Sequence, residues 1–146
     1  MLFKKAFTLI ELIFVIIVLG LLAAIAIPKF AEISKQSYIS KAKSTYTAIQ
    51  AGIQNYKTKH VLLGQNPYPT KLNDNNSAML FTEILTNPIK NGTGPGEWEY
   101  LGNNNYRYHV TNTDYIDFIY NSNTGTFTCI QYSSTIPNVC KNFKNF

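Results

Sequence analysis

The chain has 146 residues, 45% of them hydrophobic and 14% charged, with a formal net charge of +5. That length accommodates one membrane segment and one small domain of about 85 residues, and it excludes a second domain. The basicity is mild: if residues 1–6 are removed, Lys4 and Lys5 go with them and the side-chain total becomes 5 − 2 = +3.

Lys4-Lys5-Ala6-Phe7-Thr8-Leu9-Ile10-Glu11-Leu12 runs without a break into apolar residues as far as Ile27 and stops at Pro28. No charged residue lies between Leu12 and Ile27. A helix from Phe7 to Ile27, rising ~1.5 Å per residue, reaches the hydrocarbon thickness of a bilayer. The run is therefore a membrane span or a segment removed during export. Glu11 is the one charge within it, and a carboxylate in lipid is costly enough to be read as functional. Ala24-Ile25-Ala26 offers a secretory cleavage site of the A-x-A kind, but the run is longer than a signal-peptide core and contains Glu11. An uncleaved anchor carrying a periplasmic binding or sensor domain is the alternative of a different class.

Ala6-Phe7-Thr8-Leu9-Ile10-Glu11, after a short basic leader and before an apolar helix, resembles the processing site of type IV pilins and of the pseudopilins of type II secretion and DNA-uptake systems. The resemblance implies cleavage between Ala6 and Phe7 by a membrane-embedded prepilin peptidase, followed by N-methylation of Phe7. Gly20 and Pro28 stand where many members of the family carry a helix-softening glycine and proline, whereas Ala6 departs from the family's usual glycine. The implied organisation is a leader over 1–6, a transmembrane and assembly helix over 7–28, and a pilin-like α+β domain over 29–146. The implied location is the bacterial inner membrane, single-pass, with the C-terminal domain in the periplasm. From there an inner-membrane platform would assemble the chain with copies of itself and other pilin-like subunits into a helical filament. In such a filament the Phe7 amine of one subunit lies against the Glu11 carboxylate of its neighbour, which offsets the cost of each charge in an apolar core.

Beyond Pro28, Ile39, Ala42, Tyr46, Ile49, Ile53 and Tyr56 recur at spacings of three and four, the stripe of an amphipathic helix. Pro28 is expected to kink the helix without ending it, so one helix runs from about Phe7 to about Lys59. Lys29, Lys35, Lys41, Lys43, Lys57 and Lys59 lie in this stretch and suit a solvated face, anionic lipid headgroups, neighbouring subunits or DNA. Gly64, Pro67 and Pro69 open a loop through Asn73-Asp74-Asn75-Asn76. Ser77 then reads as the cap of a short second helix from Ala78 to Leu85, ended before Pro88. After the glycine-rich loop at 92–96 the pattern turns to strands: Glu97–Leu101, Tyr106–Val110, Tyr115–Tyr120 and Thr126–Tyr132, separated by Asn, Asp and Gly turns. Strands so closely spaced pair as antiparallel hairpins. The fold class is α+β: the long helix packs its stripe on a sheet of about four strands. Cys129 and Cys140, the only cysteines, read as a disulfide in an exported domain, closing a C-terminal loop like that of many type IV pilins.

No catalytic constellation is present: His60 and His109 have no acidic neighbour in a pattern with known mechanics, and no cofactor is implied. Asp114, Asp117, Asn121 and Asn123 are oxygen donors on adjoining strands and turns that a calcium ion could gather, though without EF-hand spacing. Tyrosines alternating with Arg107 are the feature on which a nucleic acid could stack, with core packing as the plainer account. Asn91-Gly92-Thr93 and Asn75-Asn76-Ser77 match the glycosylation sequon.

Overall fold

The computed structural model describes residues 7–74 and 78–143 of the chain. Two units divide it, Met1–Gln36 and Ser37–Phe146. In the first, no described side chain is buried. Its residues from Leu9 onward belong to helix α1, Leu9–Leu62, which passes through Pro28 without ending. Leu, Ile, Val and Phe cover this part of the helix on all sides, the composition of a helix meant for an apolar surround.

The second unit begins on the amphipathic half of α1. Ala42, Tyr46, Ile49 and Ile53 are buried and Ile39 and Tyr56 half-buried, so the stripe of threes and fours is the face that packs. Gly52 joins them on that face. The helix ends three residues later than Lys59. Gly64 at φ +66 turns the chain, and the Gln65 and Gly64 amides bond back to the His60 and Val61 carbonyls at 2.9 and 3.1 Å. This pair of bonds satisfies carbonyls that the last helical turn leaves open.

Four strands form the sheet that receives the stripe: β3 (Trp98–Gly102), β4 (Asn105–His109), β5 (Tyr115–Asn121) and β6 (Thr126–Tyr132), antiparallel and in chain order. Alternation sends Trp98, Tyr106, Tyr108, Ile116, Phe118, Tyr120 and Phe127 inward. Their rings form one cluster: Phe118 stacks on Phe127 at 5.2 Å, and Tyr46 from α1 sits within 6 Å of both. Four tyrosine hydroxyls tie the core to its surroundings. Tyr46 donates to the Phe127 and Phe143 carbonyls, Tyr108 to the Tyr38 carbonyl, Tyr120 to the Pro69 carbonyl and Tyr106 to Asn73 Oδ1.

The expected second helix is not what forms. Met79–Leu80 is a short strand, β1, paired with β2 (Ile89–Lys90), and a turn follows at Phe81. Ser77, its expected cap, lies outside the described residues, as do Asn75 and Asn76. The reason is packing: Leu80 and Phe81 are consecutive yet both fully buried. Phe81 takes φ 62 so that its ring can stack on Tyr106 at 4.8 Å.

A disulfide joins Cys129 on β6 to Cys140 in the 3-10 turn Val139–Asn142, with Cα atoms 5.5 Å apart. It holds Phe143 in the core, edge-on to Tyr46 and Phe118. Closing a loop of this size stabilises the domain by about 3 kcal/mol, chiefly through the unfolded chain.

Burial pushes the Tyr46, Tyr106, Tyr108 and Tyr120 hydroxyls above the ordinary tyrosine range. The folded chain therefore holds these protons more tightly than the unfolded chain. Stability is constant with respect to them below about pH 10, and it falls as pH rises past that value because unfolded tyrosines ionise there. An alkaline titration followed by tyrosinate absorbance and circular dichroism is expected to show these four ionising only together with loss of the sheet.

Candidate functional site

The first turn of α1 holds the one charge of the apolar segment. Thr8 precedes the helix and Glu11 lies three residues on, ahead of an apolar run, which is the spacing of a capping box. The structure forms one. Glu11 Oε2 accepts from the Thr8 amide at 2.9 Å and from the Thr8 hydroxyl at 2.8 Å, while Thr8 Oγ1 accepts from the Glu11 amide at 3.3 Å. Amide groups that a helix start leaves without intrahelical partners thus find acceptors. The carboxylate also sits at the positive end of the helix dipole. Read from the residues alone, Thr8 had no assigned role. The T-x-x-E spacing was the available signal.

Phe7 is 84% exposed and directly precedes this cap. With Ile10, Glu11, Phe14 and Val15 it borders a shallow apolar cleft beside the carboxylate. Ala6 lies outside the described residues. Gly20 and Pro28 are both within α1, and the helix is continuous from one to the other. An added β-carbon at Gly20 would meet nothing within 4 Å. From Phe7 to Pro28 the apolar surface is interrupted by no charge but Glu11.

The four suggested calcium donors do not converge. Asp114 directly precedes β5 and Asn121 ends it, about 23 Å apart at the rise of an extended strand. Asp114 accepts from the Ser133 and Thr135 hydroxyls, and Asn121 Oδ1 accepts from the Asn123 and Thr124 amides. Asp117 takes Arg107 in a two-pronged ion pair, with Nε at 2.7 Å and an Nη nitrogen at 2.9 Å. Among the described residues no group of three or more His, Cys, Asp or Glu side chains is arranged to hold a metal.

Arg107 also lies 3.9 Å over the Tyr115 ring. Its hydrogen bonds to Asp117 raise its affinity for its proton. The flanking Tyr106 and Tyr108 rings are in the core. The alternation around Arg107 is therefore spent on packing and on an intramolecular ion pair, and these residues offer no stacking platform to a nucleic acid. His109, without an acidic neighbour in sequence, gains one across the sheet: its Nε2 is 2.9 Å from Glu99 Oε2. His60 stacks on Tyr56 at 3.7 Å and donates from Nδ1 to the Tyr56 carbonyl. Of the lysines past the span, Lys41 donates to the Gly96 carbonyl and Lys57 lies over Tyr68. The Asn91 side chain of the described sequon accepts from the Tyr100 amide.

Parts of the chain are similar in sequence to curated fimbrial and pilus proteins. A fimbrial protein of Pseudomonas aeruginosa is 31% identical over 70 residues, covering 47% of this chain and 46% of the relative. The type IV major fimbrial protein FimA of Dichelobacter nodosus is 37% identical over 84 residues, covering 49% and 52%. Over the matched segments the chain is similar to type IV pilins. The type IV narrow pilus major component PilA5 of Thermus thermophilus, 40% identical over 47 residues, covers 32% of the chain and 40% of its own length. The chain thus spans about half the length, or less, of the curated relatives it matches. No protein-family model matches the chain, and no solved structure does. Within the first unit no described side chain is buried, and Thr8 partners the one charge of its apolar run, Glu11.

Removing the cap isolates its contribution. Thr8→Ala is expected to lower the stability of the first turn by about 1 kcal/mol. Amide exchange in detergent micelles is expected to quicken at Ile10 and Glu11 and to stay unchanged at Phe118.

Proposed function

We propose that the chain is a structural subunit of a type IV pilus, made as a prepilin, cut between Ala6 and Phe7, methylated on the Phe7 amine, and assembled into a helical filament through its N-terminal helix. One observation carries the reading. A helix whose described residues 7–36 are all unburied carries a single charge before Pro28, and that charge sits in the first turn after the cut. Lipid tolerates such a surface before assembly, and the same surface on neighbouring subunits covers it afterwards.

Glu11 has two tasks in this scheme. In the lone subunit its carboxylate is satisfied by Thr8, which lowers the cost of holding it in the membrane. Cutting creates an amine on Phe7, one residue before Thr8. In the filament the amine of one subunit pairs with the carboxylate of the next, and the requirement that each buried charge meet its partner sets the axial step between them. Prepilin peptidase and an inner-membrane platform are the partners this sequence of events requires. Gly20 and Pro28 weaken the helix between them, where tight packing in the filament could unwind it.

Intact mass and N-terminal analysis of the native protein test the processing. A mature chain beginning at N-methylated Phe7 is expected. A chain beginning at Met1 would favour an anchored sensor or binding domain, and one beginning at Ile27 a secretory signal. Glu11→Ala is expected to abolish filaments seen by electron microscopy while the subunit still accumulates in the membrane. Filaments of normal number and length would refute the charge pairing.

A further inference from the structure

Two departures from local preference meet at one contact in the second unit. Phe81 is held at φ 62, in the left-handed region that bulky side chains avoid. Gly52 lies within α1, where glycine is a poor helix former. Both serve the turn Phe81–Leu85, in which the Ile84 and Leu85 amides bond to the Phe81 carbonyl at 3.2 and 2.9 Å. A β-carbon on Gly52 would stand 2.5 Å from the Ile84 carbonyl oxygen, so glycine is what lets the backbone of the turn seat on the helix.

The sequence of this segment prefers another form. Ala78, Met79, Leu80, Glu83 and Leu85 are strong helix formers. Leu80, Phe81, Ile84 and Leu85 would share one face of a helix. The observed strand is two residues long and pairs with only Ile89 and Lys90. The Gly52 contact and the Phe81 ring, which stacks on Tyr106 and meets Trp98 and Phe127 edge-on, seat the segment on the core together with buried Leu80. Three hydrogen bonds tie it to its neighbours, from the Glu83 amide to the Leu72 carbonyl, from the Asn91 amide to the Ala78 carbonyl and from the Asp74 amide to the Thr82 hydroxyl. Backbone held in a disfavoured region by surrounding packing characterises elements with a second arrangement within reach.

We propose that residues 78–85 are a conformational switch with two states: the strained strand and turn, latched on α1 through Gly52 and Ile84, and a helix that keeps Leu80, Phe81, Ile84 and Leu85 on one side while relieving Phe81. The switch acts on a groove. Ile84, Leu85 and Thr86 line an open furrow that Gly52, Asn55 and Tyr56 of α1 also line. Conversion to helix withdraws the Ile84 carbonyl from Gly52 and reshapes the surface along this side of α1. The inference rests on Phe81, Gly52 and the segment's composition, and it stands independently of the pilus reading.

Isotope-labelled full chain in detergent micelles tests it. In Gly52→Ala the latch cannot close. Carbon chemical shifts of 79–85 are then expected to move to helical values, while those of Ile116 and Phe118 in β5 stay in place. Unchanged shifts at 79–85 would overturn the proposal. If the variant loses the sheet as well, hydrogen exchange of the unaltered chain decides. The Leu85 and Asn91 amides are expected to exchange at least about tenfold faster than those of β5, through an opening smaller than global unfolding. Exchange of Leu85 only through global unfolding would overturn it.

Discussion

Tyr46 shows what the second unit depends on. A four-stranded sheet with one aromatic face and a helix with one apolar stripe each leave an apolar surface that water disfavours, so each supplies the cover the other needs. Tyr46 makes the junction. Its ring lies among Phe118, Phe127 and Phe143, and its hydroxyl reaches the Phe127 carbonyl on the outer edge of β6 and the Phe143 carbonyl beyond it. One side chain thus joins helix, sheet and C-terminal segment, and the Cys129–Cys140 bond keeps the last of these within reach. The other tyrosine hydroxyls repeat the device, each ending in a carbonyl or amide oxygen of a loop or helix that would otherwise have only the rings to hold it.

The edges of the sheet are closed by the same economy. β6 is covered by Gln50, which also donates to the Phe127 carbonyl, and by the disulfide-bound turn. β3 is engaged by Asn91, whose side chain accepts from the Tyr100 amide, while the Gly92 amide bonds to the Trp98 carbonyl. Unpaired strand edges invite pairing with other chains, and a protein read as packing in many copies through its helix has reason to keep its strands out of that contact. On the outer face of the sheet Glu99, Arg107, Asp117 and Gln131 lie in register across all four strands. Their polar pairing leaves that face suited to water, with the apolar payload on the other side.

The first unit poses the opposite problem. Its residues satisfy their backbone within the helix and expose apolar side chains on every side, so its stability depends on what surrounds it. Between Phe7 and Pro28, Glu11 is the one charge on that surface, and Thr8 partners it within a single turn. A local capping box and a charge awaiting an intermolecular partner are compatible readings of the same carboxylate. The cap explains how the lone chain carries the charge, and the proposed pairing would give the charge its purpose.

Much of this was legible in the residues because periodicity is local. The three-and-four stripe on α1, the alternation of Tyr106 and Tyr108 with Arg107 and His109, and the apolar run before Pro28 each state which face is covered without reference to the rest of the chain. Strand β6 was read to the residue, and the other three sheet strands to within a residue at either end. What the residues did not disclose were contacts between distant positions. Asp117 was available to a cation until the fold set Arg107 opposite it, and His109 lacked an acid until β3 brought Glu99 alongside. At 78–85 local preference favoured a helix and the tertiary structure chose a strand and a left-handed Phe81. A residue's own propensity is worth a fraction of a kcal/mol, whereas burying two large side chains is worth several. Sequence alone determined which elements exist and which face each one hides. Tertiary structure decided the partners of the charges and the one segment where packing outweighed preference, because those outcomes depend on groups that meet only after the chain has closed.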